Sequence, residues 1–123
     1  MTWLLVQAFA SLLLYDVVSS RRGFRRAHAM ARGWRPAPRR GRHTSERICQ
    51  AVAEACAWYP KRAFCLQRSW VATRLLRRYG FPAELVIGYR PTPIDSHAWV
   101  EIDGRIVNDR PQYQKFFRVL DRL

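Results

Sequence analysis

Residues 84–109 read ELVIGYRPTPIDSHAWVEIDGRIVND, and their alternation decides the fold class. Glu84 to Tyr89 is a run of β-favouring residues. Residues 90–96 (RPTPIDS) read as a proline-containing loop. His97 to Ile102 forms a second strand, Asp103-Gly104 turns the chain, and Arg105 to Asn108 returns as a third.

Upstream the period is helical. Thr44 or Ser45 caps a helix from about 46 to 58, with Ile48, Val52, Ala55 and Cys56 at helical spacing and Pro60 as its stop. A second helix spans about Phe64 to Tyr79 and ends at Gly80 and Pro82. Leu66, Trp70, Thr73 and Leu76–Arg77 trace its faces. Arg68, Arg74, Arg77 and Arg78 supply its wet side and suit the negative end of the helix dipole. Downstream, Phe116, Phe117, Val119 and Leu120 fit a last strand or a helix equally. Helices followed by an antiparallel sheet make the class α+β, N-terminal helices packed on a small sheet.

The chain has 123 residues, enough for one core. Trp3 to Val18 is mostly apolar but is interrupted by Gln7, Ser11 and Asp16, and it is shorter than the roughly 20 residues of a membrane span. No positive charge precedes it and no small-residue cleavage site follows, so it does not read as a secretory signal. A buried or partner-facing helix is expected and membrane association is not. A surface-lying anchor is the alternative, because Arg21, Arg22, Arg25 and Arg26 come next. Arg32 to Arg42 (RGWRPAPRRGR) reads as a basic connector, or as a landing strip for an acidic peptide. The expected organisation is an apolar and Arg/Pro-rich lead-in at 1–42 and a domain at 43–123.

The net charge of +13, with 22 Lys and Arg against 9 acids, is compatible with an acidic partner: nucleic acid, an anionic membrane or an acidic peptide. No RNP motif, helix-turn-helix or zinc finger supports nucleic acid in that role. Three cysteines are an odd number, against a closed disulfide framework. Cys49 and Cys56, two helical turns apart, are separated by roughly 10 Å, too far for a disulfide. No CxxC, HExxH or zinc-spaced cluster is present, so neither metal nor cofactor is expected, and a reducing cytoplasm fits best.

Three residues form a candidate catalytic set. Cys65 starts the second helix, where unpaired amides and the positive dipole end favour a thiolate and can hold an oxyanion. His97 opens a strand beside a loop, and Asp109 follows the third strand. A two-residue Asp103-Gly104 turn would pair Ile102 with Arg105 and send His97 and Asp109 to opposite faces. A three-residue loop with Gly104 in a bulge would pair Glu101 with Arg105, Trp99 with Val107 and His97 with Asp109. It would also gather Ala98, Val100, Ile102 and Ile106 into one apolar stripe. The second register segregates polarity better and is the one expected. Cys65 would then attack a carbonyl, His97 would move the proton and Asp109 would orient the imidazole. Trp99 and Val107 would wall the site, residues 89–94 could touch a peptide, and Gln67 and Tyr59 are possible oxyanion helpers.

The stretch WYPKRAFCLQRSWVATRLLRRYGFPAELVIGYRPTPIDSHAWVEIDGRIVND (58–109) resembles the B2 proteins of lasso-peptide biosynthesis. These belong to the transglutaminase-like, papain-related cysteine-protease superfamily. The likeness is dense at CLQRS, RRYGFPAELVIGYRP and HAWVEIDGRIVND. It implies a cysteine-type leader peptidase, with the family's triad falling on Cys65, His97 and Asp109. Such a protein frees the core of a ribosomally made precursor for a separate macrolactam-forming cyclase. The irregular first 42 residues look too short for a fused leader-binding domain, so the resemblance implies a small separate leader-binding (B1) partner. A transglutaminase or amidase on the same fold, a non-catalytic basic binding protein and a catalytically dead scaffold are the alternatives.

Overall fold

The computed structural model describes residues 2–38, 43–91 and 94–123. Three helices come first: α1 (Trp3–Gly33), α2 (Ser45–Trp58) and α3 (Cys65–Arg78). Strands β1 (Ala83–Pro91), β2 (Ile94–Ile102) and β3 (Arg105–Ile106) follow, then a helical turn α4 (Tyr113–Phe116) and strand β4 (Arg118–Arg122). The four strands form one antiparallel sheet in the order β3-β2-β1-β4. The class is α+β, as the sequence indicates.

Thr2 caps α1 and Thr44 caps α2 through their side-chain oxygens. The apolar run expected to end near Val18 continues as helix through the arginines to Gly33. It breaks at Gly23, whose φ of 79° only glycine tolerates easily. Leu4, Ala8, Leu12 and Tyr15 form a buried stripe before the break, and Ala27 and Ala31 continue it afterwards. By length and composition α1 could cross a membrane, but this stripe is packed into the core.

At the centre of that core Trp70 of α3 is fully buried. Its indole N–H donates to the Ala27 carbonyl at 2.8 Å, and Tyr15 and Trp34 meet it edge to face. Arg77, also buried, donates to the carbonyls of Ala31, Ala83 and Leu123, so one guanidinium joins α1, β1 and the last residue. Ala83, Leu85, Ala98 and Val100 face this core from the sheet. On the opposite sheet face Val86, Trp99 and Phe117 make a smaller cluster, with Ile106 and Tyr113 against it. Gly88 makes room for it. A Cβ there would lie 2.6 Å from Trp99 Cη2.

Three sequence expectations are corrected. The proline-containing loop is shorter than 90–96, because Arg90 pairs with Asp95 and Pro91 with Ile94, which leaves only Thr92 and Pro93 outside the described residues. The C-terminal segment is neither helix nor strand throughout but a turn of helix followed by a strand. Within the basic connector, Arg32 and Gly33 belong to α1 and Ala37 donates its N–H to the Arg77 carbonyl. Residues 39–42 lie outside the described residues.

The β2–β3 register also differs. Ile102 pairs with Arg105 and Glu101 with Ile106, across a two-residue Asp103-Gly104 turn. Both turn residues have positive φ, 52° and 80°, the type I′ geometry that suits the twist of a hairpin. Polarity favoured the other register only if Glu101 faced water. Glu101 is 3% exposed, and its carboxylate accepts from Trp99 Nε1, Gln114 and Arg122. Ile106 accordingly lies on the Trp99 face, away from the stripe of Ala98 and Val100.

Candidate active site

Cys65 is the first residue of α3. Phe64 precedes it in extended conformation, and no side chain caps the helix start. The first helical bond runs from Arg68 N–H to the Phe64 carbonyl at 3.0 Å, so the amides of Cys65, Leu66 and Gln67 have no partner within the helix. Half-buried Cys65 is among the residues lining a cavity of about 80 Å³, with Leu66, Ile87, Ser96, His97 and Ala98. Burial pushes Cys49 up to about 12 and also raises Cys56, which leaves both as inert packing groups.

His97 stands across from Gly88 on the face that carries Trp99. Its ring lies 4.1 Å from the Tyr113 ring, centroid to centroid, with Phe117 and Trp99 at 5.8 and 6.3 Å. Nε2 is 3.0 Å from Asp109 Oδ2. An ionised carboxylate only accepts, so Nε2 carries the hydrogen, and Nδ1 is the nitrogen free to exchange a proton. Among the described residues no hydrogen bond joins Cys65 to the imidazole.

The imidazole and carboxylate therefore meet although the register expected to bring them together is absent. The reason is a break in the ladder. Val107 N–H still bonds the Val100 carbonyl at 2.9 Å. Val100 N–H, however, is taken at 2.8 Å by the side-chain oxygen of Asn108, where a regular strand would offer a backbone carbonyl. Asn108 in turn donates to Ser69 Oγ, and Ser69 donates to the Ala98 carbonyl. The chain stops alternating after Ile106, and Asp109 swings to the face of His97. Asp109 Oδ1 accepts from the Arg110 amide and Oδ2 accepts from Arg68.

Sequence reasoning missed Arg68, Ser69, Asn108 and Tyr113. Only Arg68 carried a signal, its three-residue spacing from Cys65 on one helix. The possible oxyanion helpers are engaged elsewhere. Gln67 donates to the Leu12 carbonyl, and Tyr59 donates to Asp16. Burial and the Asp16 carboxylate push Tyr59 up to about 12. Trp99 shares the His97 face, whereas Val107 packs on the main core. Among the described residues no cluster of three His, Cys, Asp or Glu side chains is arranged to hold a metal.

The Transglutaminase-like superfamily model matches residues 11–122, from within α1 to the end of β4. The chain belongs to the transglutaminase-like superfamily. Over 56 residues it is 39% identical to the microcin J25-processing protein McjB of Escherichia coli, a match covering 46% of this chain and 27% of that relative. The chain thus spans about a quarter of the length of the curated relative it matches. No solved structure matches.

Proposed function

We propose that this transglutaminase-like protein is a cysteine peptidase that removes the leader from a ribosomally made lasso-peptide precursor. The observation that carries this reading is the His97–Asp109 bond, on a strand whose residues Ser96, His97 and Ala98 line one cavity with Cys65 at the start of α3. The similarity to a peptide-processing protein and the B2-like motifs at 58–109 supply the substrate class.

In the proposed reaction His97 Nδ1 takes the thiol proton and the Cys65 sulfur bonds to the scissile carbonyl carbon. The carbonyl π pair moves to oxygen, where the unpaired amides at the start of α3 stabilise it. The oxyanion collapses, the C–N bond breaks and His97 returns the proton to the leaving amine. Water, deprotonated by His97, then attacks the thioester, releasing the carboxylate and the thiol. Asp109 keeps Nε2 protonated and stabilises the imidazolium.

The leader would be presented by a separate small leader-binding protein. Its proposed dock is the outward face of α1, where Trp3, Val6, Phe9, Leu13 and Val17 are exposed and a groove of about 690 Å³ runs between α1 and Trp58. The superfamily also admits acyl transfer to an amine in place of water. Mass analysis after incubation with precursor and partner separates the two. A hydrolysed leader supports the peptidase, and an amine-exchanged glutamine supports the transferase. Cys65→Ala should abolish cleavage, by about 10³-fold or more, while precursor binding survives. Cleavage at the wild-type rate in Cys65→Ala overturns the assignment.

A further inference from the structure

We propose that Arg68 is a positioning residue, which holds Asp109 in register with His97 from the same helical turn that presents Cys65. This deepens the peptidase reading by naming what aligns its triad. Arg68 Nη2 lies 2.9 Å from Asp109 Oδ2, and that same oxygen lies 3.0 Å from His97 Nε2. One carboxylate oxygen thus serves both side chains.

The backbone gives Asp109 little support of its own. It lies three residues past the end of β3, in a segment whose ladder Asn108 has already interrupted. Among the described residues its Oδ1 accepts only from the adjacent Arg110 amide, a bond that moves with the segment. Among the described residues Arg68 is the one helical side chain bonded to Asp109, and three residues from Cys65 is close to one full turn. The guanidinium therefore references the carboxylate to the element that carries the nucleophile. A lever arm of this kind matters because a misplacement of about 1 Å in a catalytic group can cost about 100-fold in rate.

The cost borne by Arg68 supports a role beyond tethering. Its Nε is buried without a hydrogen-bond partner among the described residues. A simple surface tether would leave that nitrogen in water. Beside the head group stands Asp109, with His97 beyond the carboxylate, and the guanidinium charge is felt at the Cys56 thiol of α2. Asp109 is the only carboxylate it pairs with among the described residues. The side chain is thus committed to the aspartate.

The test reads Cys65 reactivity directly, so it does not require the physiological substrate. Alkylation of Cys65 by iodoacetamide, followed by peptide mass, reports how well the imidazole supports the thiolate. Arg68→Gln should slow alkylation about 10–100-fold, and Arg68→Lys, which keeps a charged donor, should recover most of it. In a His97→Ala background Arg68→Gln should add no further loss, because Arg68 acts through the imidazole. With precursor, the loss should fall on kcat and leave KM within about twofold. Wild-type alkylation in Arg68→Gln overturns the proposal, as does an equal further loss in His97→Ala. If Arg68→Gln fails to fold, Arg68→Lys decides alone: near-wild-type reactivity supports the role, and the loss seen in His97→Ala overturns it. Reactivity that follows this pattern without precursor cleavage would leave the positioning role standing and remove the peptidase reading.

Discussion

Asn108 shows how one side chain redirects a strand. Its amide oxygen fills the place of a ladder carbonyl opposite Val100, and its amide nitrogen reaches Ser69 on α3. Asn108→Ala should leave the Val100 N–H unsatisfied in a buried setting, at about 1–3 kcal/mol, read as a lowered midpoint in denaturant with the slope unchanged. Asp109 should then lose its place beside His97, so alkylation of Cys65 should slow as well. Asn108→Asp keeps the acceptor and should hold more of the stability. At this scale the sequence was partly legible. A cysteine at a helix start and a histidine at a strand start follow from local pattern. The His97–Asp109 contact does not, because it depends on a ladder break that alternation cannot express. Asp-Gly correctly signals a two-residue turn by its tolerance of positive φ; the polarity argument against it failed because Glu101 is covered.

The elements around Glu101 form a polar anchor within a hydrophobic face. Burial alone would raise its carboxyl, but bonds from Trp99, Arg122 and Gln114, with the charge of Arg122, hold it below its ordinary value of 4.5. The anchor joins β2 to β4 and to the residue after Tyr113, whose ring lies on His97. A folded-state value below the unfolded one means the contribution is present above the unfolded value and is lost as pH falls through the folded one. Wild type should therefore lose stability below about pH 4.5 more steeply than Glu101→Gln, measured by denaturant midpoints from pH 7 to pH 3. Near pH 7 the variant should be the less stable, because a buried charged acceptor facing Arg122 has been replaced. A parallel pH dependence in both proteins would show that Glu101 contributes nothing specific. The C-terminal elements were illegible for a related reason. Four residues of helix and five of strand are too short for either period to register, and what fixes them is the long-range bonding to Glu101.

Across the whole molecule, the charge and the apolar surface are organised around α1. Its inner stripe belongs to the same core as Trp70 and Leu85, and its outer face is apolar up to Val17 and arginine-rich from Arg21 on. The sequence reading offered a buried or a partner-facing helix, and in the structure one side of α1 is buried in the core and the other is exposed. Composition could not separate them, since apolar residues occupy both, and only packing against α2 and α3 tells which row is core. Asp16 illustrates the coupling. It lies on α1 yet takes bonds from Tyr59 and Lys61 in the connection that leads into Cys65. Removing residues 2–20 should therefore abolish folding as well as any docking. Leu4, Leu12 and Tyr15 alone contribute roughly 1.5–3 kcal/mol each by burial, against a total stability of about 5–15 kcal/mol for a domain. The truncated chain should show no cooperative thermal transition. Leu13→Glu and Phe9→Glu, on the outer face, should keep the transition, changing stability by about 0.5 kcal/mol or less, yet remove binding of the leader-binding partner in a titration. Cooperative unfolding of the truncated chain would mean that the helix is an appendage of the fold. Unaltered partner affinity in the two glutamate variants would move the dock elsewhere on the surface.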